Sequence, residues 1–366
     1  MLSLVFGSDT FVFPQVWLRE NCRCSICFFE NGHQRLLDPD DDAIGNAEIS
    51  DYRIDNATLY IEWLDGHKSE FRVDWLAENG RFTHGDKPDD FDFHIPWAVT
   101  DLPNIPSFDY QEIMDGHSKE YLRAVSQYGV FLVTGAPTAE ETVTDFANSI
   151  SFSGIRSTNF GAIFDLRVHD HKNMKLAFTN KRISLHNDLL IRRQPPTVTL
   201  LHCLQKSGSG GESLISDGLA VALYMKENFP DAYDILTTTE VEVEDINANW
   251  HYISRRSVIA VESGVVKSIQ FNNWERSPNI RIDPKRYGDF RAAYRTFSVL
   301  AHSDQFCHRH PLGPGEIIVV DNSRLLHGRG AFEQGGGGGR HLQGCHIDID
   351  DLTSAFRKSK SVGILQ

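Results

Sequence analysis

The chain has no run approaching the ~20 consecutive apolar residues of a membrane-spanning helix. Its opening, Met1 to Phe6, lacks the basic start and long apolar centre of a secretory signal. A cytoplasmic protein is the resulting expectation. Long Lys/Arg blocks are missing too: 36 basic residues against 50 acidic ones give a formal charge of -14, which argues against a general binder of nucleic acid or anionic membrane. Cysteine is scarce, six in 366 residues, too few for a disulfide scaffold in so long a chain. No internal repeat occurs, and the only low-complexity segment is the glycine run 335–339, which reads as a loop. What is present is an ordinary globular composition, 40% hydrophobic, with length for about two domains.

Three of the cysteines crowd into Cys22-Arg23-Cys24-Ser25-Ile26-Cys27. An extended backbone puts Cys22 and Cys24 on one face, and three thiolates so close wrap one tetrahedral zinc if a distant segment supplies the fourth ligand. His67 is the first candidate. It sits in Leu59 to Phe71, which reads as an alternating strand, an Asp65-Gly66 turn and a second strand. His33 and His84 are its rivals; His33 demands a very tight local loop, and His84 lies in polar, irregular sequence. A zinc enclosed by four protein ligands has no open position, so its role is structural, a clip for a small β-rich domain with a limited core. From Asn79 to Pro106 the pattern dissolves into polar, proline-containing sequence including Asp86-Lys87-Pro88-Asp89-Asp90, a linker with a surface segment. The expected domains are therefore 1–95, holding the zinc, and 96–366.

In the second domain, apolar spacing predicts helices over Asp109 to Gln127, Thr138 to Ile150, Leu219 to Phe229 and Pro284 to Leu300. Tyr128 to Gly135 reads as a buried strand ending in a turn. Shorter β runs follow at Ser213 to Ser216, Val241 to Val243, Val258 to Val261, Val265 to Phe271, Glu316 to Val320 and His341 to Ile347. Many short strands with a few helices outside them make the fold mainly β with flanking helices, a double-stranded β-helix or jelly roll.

The chemistry centres on Ser184-Leu185-His186-Asn187-Asp188. If Ser184 to Leu189 is extended, His186 and Asp188 face the same side and can meet one ion. The third ligand expected is His327, which follows the β-branched run Ile317 to Val320 and a turn; two His and one carboxylate with open positions are the facial set of non-haem Fe(II) oxygenases. A His-x-Asp alone is a weak signal in a chain with 16 histidines, but three features accompany it. Arg340, thirteen residues after His327, can grip the distal carboxylate of 2-oxoglutarate in bidentate fashion. Ser213, in Gly210-Gly211-Glu212-Ser213, offers that carboxylate a hydroxyl. Pro195-Pro196 precedes the apolar run Val198 to Cys203, a wall for the site. Asp321, Asn322 and Arg324 are expected to set the turn before His327, and His202, Cys203, Cys307 and Cys345 to be core residues. Two other classes compete: a hydrolytic zinc enzyme, which has no use for Arg340 and Ser213, and a β-barrel binding protein without catalysis.

The order His-x-Asp, strand, Gly-Gly-x-Ser, His, Arg resembles that of the Fe(II)/2-oxoglutarate oxygenases of the taurine dioxygenase type. The runs Trp17-Leu18-Arg19-Glu20-Asn21-Cys22, Trp63-Leu64-Asp65-Gly66-His67, Asp74-Trp75-Leu76, Leu201-His202-Cys203, Phe271-Asn272-Asn273 and Leu326-His327-Gly328-Arg329 are similar to the gamma-butyrobetaine hydroxylase and trimethyllysine dioxygenase family over nearly the whole chain. The resemblance implies structural zinc on Cys22, Cys24, Cys27 and His67, iron on His186, Asp188 and His327, 2-oxoglutarate and O2 as co-substrates, a small-molecule substrate and a homodimer. Gamma-butyrobetaine hydroxylase cages a trimethylammonium head among tyrosines and tryptophan, whose ring faces attract the cation. The matching positions here are Phe160, Phe164, Phe178 and the aliphatic Leu189, with Trp274 nearby. The asparagine that holds the substrate carboxylate in that family aligns with Lys175, and Asn272 or Asn273 with a second anchor. A lysine suits a more highly charged anion than one carboxylate. The expectation is thus hydroxylation of an aliphatic C–H in a small quaternary-ammonium zwitterion, a trimethylaminoalkyl phosphonate first, with gamma-butyrobetaine or trimethyllysine as the alternative.

Overall fold

Ile317–Asp321 is buried along its whole length, because the sheet it sits in is covered on both faces. In the structure, a computed structural model describing residues 1–6, 9–45, 47–80, 94–167, 175–206, 208–279, 281–333 and 339–361, that sheet has six strands. Their order is Ile163–Arg167, His341–Ile347, Val198–Gln205, Ile317–Asp321, Val130–Thr134 and Ser107–Asp109, antiparallel except for the last pair. A four-stranded sheet, Ile183–His186, Leu325–Arg329, Ser213–Asp217 and Cys307–His310, packs against it.

Period-2 alternation explains the layers. Val130, Leu132, Ile318 and Val320 point between the sheets, where they meet Ile215 and Leu325. Phe131, Val133, Ile317 and Val319 point outward onto residues of the helices Tyr110–Met114, Glu120–Tyr128, Thr142–Ile150 and Ile349–Ser361. The other face of the smaller sheet is covered by Gly218–Asn228, Pro230–Thr238 and Tyr287–Ala301. This is the jelly roll with flanking helices read from the sequence. Among the described residues no helix is long and apolar enough to cross a membrane.

The chain divides into two compact units, Met1–Lys87 and Pro88–Gln366. In the first, a three-stranded sheet, Ile49–Asp55, Thr58–Trp63 and Lys68–Arg72, turns Leu59, Ile61, Trp63 and Phe71 into a core with Leu18 and Leu76. The segment around Asp86-Lys87-Pro88 and the glycine run up to residue 338 lie outside the described residues, as does His84.

Some elements differ from expectation for local reasons. The single helix expected over Asp109 to Gln127 is two, Tyr110–Met114 and Glu120–Tyr128, separated where Gly116 takes φ +72°, a left-handed conformation cheap for glycine and a helix terminator. Pro230–Thr238 is an additional helix with proline in its first turn, where the missing N–H costs nothing.

Candidate active site

His186 ends the strand Ile183–His186 and lies directly across from His327 on the neighbouring antiparallel strand. Their ring centroids are 4.6 Å apart. Asp188 completes the cluster, with Oδ1 3.4 Å from His186 Nε2 and Oδ2 3.4 Å from His327 Nε2. The extended run expected through Leu189 stops at His186; Asp188 reaches the histidines from a turn, which Leu189 continues at φ +56°.

That turn is pinned by buried amides. Asn187 accepts from the Phe271 N–H at 2.9 Å and donates to the carbonyls of Asn322 and Leu325 at 2.7 and 2.9 Å. The Asp188 N–H donates to Asn322 Oδ1 at 2.7 Å, while the Asn322 amide donates to the carbonyls of Asp188 and Pro196. On the carboxylate itself, Thr199 Oγ1 donates to Oδ2 at 3.1 Å and His346 Nε2 stands 3.2 Å from the same oxygen. Burial alone would raise this carboxyl, but His327, His186 and His346 outweigh it and hold Asp188 well below the usual carboxylate range.

The donor set fits a divalent ion with open positions. His186 Nδ1 is 2.9 Å from the Ser184 carbonyl; donation there leaves the Nε2 lone pair facing Asp188. The three ligand atoms lie within 4.8 Å of one another.

A cavity of about 480 Å³ opens from this cluster. Its lining includes Leu166, Leu201, Ser213, Arg340 and Leu342. Arg340 is buried, and no carboxylate among the described residues pairs with it; burial lowers its pKa to about 10. Arg329 lies close by, but its guanidinium donates to the carbonyls of Ala177, Thr179 and Lys181. An acid with a short apolar body and a distal carboxylate, such as 2-oxoglutarate, fits this lining: Arg340 is the guanidinium left to bind it, and Ser213 lines the same cavity.

Phe160, Phe164, Phe178, Leu189, Asn272 and Trp274 also line the cavity. Trp274 stands edge-on to His186, centroids 4.8 Å apart, and Phe164 is tilted against His346 at 5.2 Å. Asn273 is exposed and does not line the cavity. Lys175 lines it, but its ammonium is 2.7 Å from Asp245 Oδ2 and 4.3 Å from the centre of the Phe160 ring. The surplus positive charge that a phosphonate would require of Lys175 is therefore already neutralised.

Sequence reasoning missed Asp245, Glu275 and His346. Glu275 Oε2 accepts from Asn272 Nδ2 at 3.0 Å. Burial raises its carboxyl to about 7; Lys175 and His186 oppose that rise, and Asp188 and Asp245 add to it. A signal for His346 was available: Leu342, Gly344 and His346 alternate along one face of the strand His341–Ile347, which Arg340 immediately precedes, and Arg340, Leu342 and His346 all line the cavity. At Gly344 a Cβ would fall 2.4 Å from the Phe164 ring, so only glycine lets Phe164 lie there.

The first unit carries the other candidate metal centre. His67 Nε2 is 3.3 Å from Cys22 Sγ and 3.6 Å from the sulfurs of Cys24 and Cys27. Zn–S of 2.3 Å and Zn–N near 2.0 Å at a tetrahedral angle require S···N of about 3.5 Å, so one zinc fits among these atoms. His33 is exposed and outside the cluster. The cysteines are held by a bend and turn, with the Cys27 N–H donating to the Cys24 carbonyl at 3.0 Å. The strand expected to put Cys22 and Cys24 on one face is not formed; the bend and turn from Cys24 to Cys27 gather the thiols instead. His67 is presented by the hairpin turn, where Gly66 has φ +82° and Asp65 Oδ1 accepts from the His67 N–H at 2.9 Å.

Residues 98–346 match the model of the taurine catabolism dioxygenase TauD, TfdA family, and residues 1–77 match that of the gamma-butyrobetaine hydroxylase-like N-terminal domain. The chain is 31% identical to the gamma-butyrobetaine dioxygenase of Homo sapiens over 98% of its own length and 93% of that protein's. It is 27% identical to the mitochondrial trimethyllysine dioxygenase of Rattus norvegicus over 97% and 85%. Among solved structures it resembles in fold an asparagine oxygenase crystallised with Fe(II), 3-hydroxyasparagine and succinate. The TM-score is 0.50 at 14% identity, over 70% of this chain and 95% of that one.

Proposed function

We propose, from the premise that the chain belongs to the taurine catabolism dioxygenase TauD/TfdA family, that it hydroxylates an aliphatic C–H of a small quaternary-ammonium acid of the gamma-butyrobetaine or trimethyllysine kind. That it is an Fe(II)/2-oxoglutarate-dependent dioxygenase follows from the family itself. The observation that carries the substrate reading is the ring-lined cavity beside the metal cluster, Phe160, Phe164, Phe178 and Trp274, in a chain whose full-length relatives are gamma-butyrobetaine and trimethyllysine dioxygenases. Ring faces attract a quaternary ammonium that offers no N–H to a carboxylate. Resemblance to the same family supports a homodimer as the working unit.

Ferrous iron with 2-oxoglutarate and O2 supplies oxidation of a C–H to C–OH, coupled to release of succinate and CO2. The chain's own residues do the rest. His186, Asp188 and His327 leave one side of the ion site open to the cavity. Thr199 and His346 hold the Asp188 carboxylate and Asn322 its backbone, so the ligand set keeps a fixed direction. Arg340 and Ser213, which line the same cavity, would hold the far carboxylate of the co-substrate. Leu201, Leu342 and Phe164 exclude water from the reacting region, and Trp274 covers the His186 ring.

The test is a panel of gamma-butyrobetaine, trimethyllysine and a trimethylaminoalkyl phosphonate with Fe(II) and 2-oxoglutarate in air. Stoichiometric succinate and a product heavier by one oxygen are expected with at least one of the first two. Coupled turnover confined to compounds without a quaternary ammonium would sink the substrate reading.

A further inference from the structure

Lys175 already does in this cavity what a ligand cation would do. Its Nζ stands 4.3 Å from the centre of the Phe160 ring and 2.7 Å from Asp245 Oδ2. Trp250 Nε1 donates to the same oxygen at 3.1 Å, which braces the carboxylate from the turn between Glu240–Ile246 and His251–Ser257. A ring face and a fixed carboxylate with a cation between them are the parts of a cation seat. Here the chain fills the seat itself.

Phe160, Lys175 and Asp245 all line the cavity that opens from His186, Asp188 and His327. A trimethylammonium group brought to Phe160 beside the lysine would set two positive charges over one ring in a partly desolvated place, where like charges repel strongly. The lysine has a way out. Its side chain keeps 32% of its surface exposed against 9% for Asp245, and its ammonium hangs on a flexible four-carbon stem. Swung into water, it leaves Phe160 and the braced carboxylate to another group of the same charge. A quaternary nitrogen has no N–H for Asp245, but the carboxylate attracts its charge at contact distance all the same.

We propose that Lys175 is a resident cation in the seat of the substrate's quaternary ammonium, held over Phe160 by Asp245, and that it sets specificity by competition: the ligand binds by displacing the Lys175 ammonium, which does not anchor the acid group. The inference rests on the quaternary-ammonium reading above and deepens it. Lys175 then has the opposite role to the anion anchor expected from its alignment, and its removal helps binding where loss of an anchor would harm it.

The test uses tetramethylammonium, which has the cation and no acid group. Its binding to the full-length protein is followed by calorimetry and thermal unfolding, with sodium chloride at equal ionic strength as reference. Lys175→Met vacates the ring and leaves Asp245 unpaired. It is expected to bind tetramethylammonium about tenfold or more tightly than wild type does, the ratio that one cation–ring contact supplies. It should also recover, in the presence of tetramethylammonium, the thermal midpoint that the unpaired carboxylate lowers, while the wild-type midpoint stays put. Lys175→Met combined with Asp245→Asn removes the whole pair and keeps the test open where the single variant does not fold; its affinity is expected between those of wild type and the single variant. The KM for gamma-butyrobetaine or trimethyllysine, whichever turns over, should fall in Lys175→Met. If neither variant binds tetramethylammonium more tightly than wild type, or if the KM rises, the resident cation is refuted while the quaternary-ammonium reading stands. Wild type that turns over no quaternary-ammonium acid brings both down.

Discussion

Asp188 shows how one residue's role is divided among its neighbours. Its oxygens face two imidazoles, while its N–H and one oxygen are fixed by Asn322, Thr199 and His346. Arg340 is not one of the three clustered ligands and lines the cavity into which they open, where the proposed function has it receive the co-substrate carboxylate. Substitutions at the two positions should therefore fail differently. Asp188→Ala is expected to abolish turnover and weaken iron. Arg340→Ala leaves a buried carboxylate without its partner, a loss of about 2–5 kcal/mol, so the 2-oxoglutarate requirement should rise roughly 30-fold or more while iron binding persists. Iron titrations with and without 2-oxoglutarate, followed by the visible charge-transfer band, separate the two; equal loss of iron in both variants contradicts these roles. The metal cluster was legible in the sequence because a short His-x-Asp and a histidine after a β-branched run carry their own pattern. Glu275 and Asp245 were not, since each is an acid in sequence of no marked pattern, and only the packing of Glu240–Ile246 beside the segment after Phe271 brings them to Lys175.

At the level of elements, strand pairing does the work of convergence. His186 and His327 meet because Ile183–His186 and Leu325–Arg329 are neighbouring antiparallel strands whose register shifts between Ile183 and His186, so that the two histidines pair. Gly328 allows that closeness: a Cβ there would stand 2.7 Å from the Ile183 carbonyl oxygen and 3.1 Å from the Leu185 nitrogen. These are backbone atoms, so a side chain can be accommodated only by moving one strand from the other. Gly328→Ala is expected to cost about 1–3 kcal/mol in stability, the usual range for overpacking, and to weaken iron at the same time, although residue 328 is no ligand. Thermal unfolding and an iron titration check this; a variant with wild-type stability and iron affinity would show that the strands part without penalty. Strand existence was readable from β-branched runs, whereas the helix break at Gly116 was not, because the apolar spacing carries across it and the left-handed φ becomes visible only in three dimensions.

At the scale of the whole molecule, each of the two units has its own core, but they are unequally endowed. The second is built on three large clusters of buried side chains. The first has a single core cluster of nine buried apolar residues, Leu2 to Leu76, among its described residues, and a domain of that size buries a smaller share of its surface. A zinc on Cys22, Cys24, Cys27 and His67 ties the segment after the first helix to the hairpin turn, a link between positions 40 or more residues apart that packing alone supplies weakly. Removing one thiolate should therefore loosen the first unit and spare the second. In the full-length protein, Cys24→Ser is expected to lose most of a wild-type content near one zinc per chain. Trypsin should then cut quickly within residues 1–87, while a fragment containing 88–366 persists and the charge-transfer band of the iron and 2-oxoglutarate complex survives. Metal analysis by plasma emission and mass mapping of the digest read both outcomes. Well-folded wild type without zinc, or a Cys24→Ser protein that keeps its zinc and its protease resistance, would overturn the assignment of the metal as the clip of the first unit.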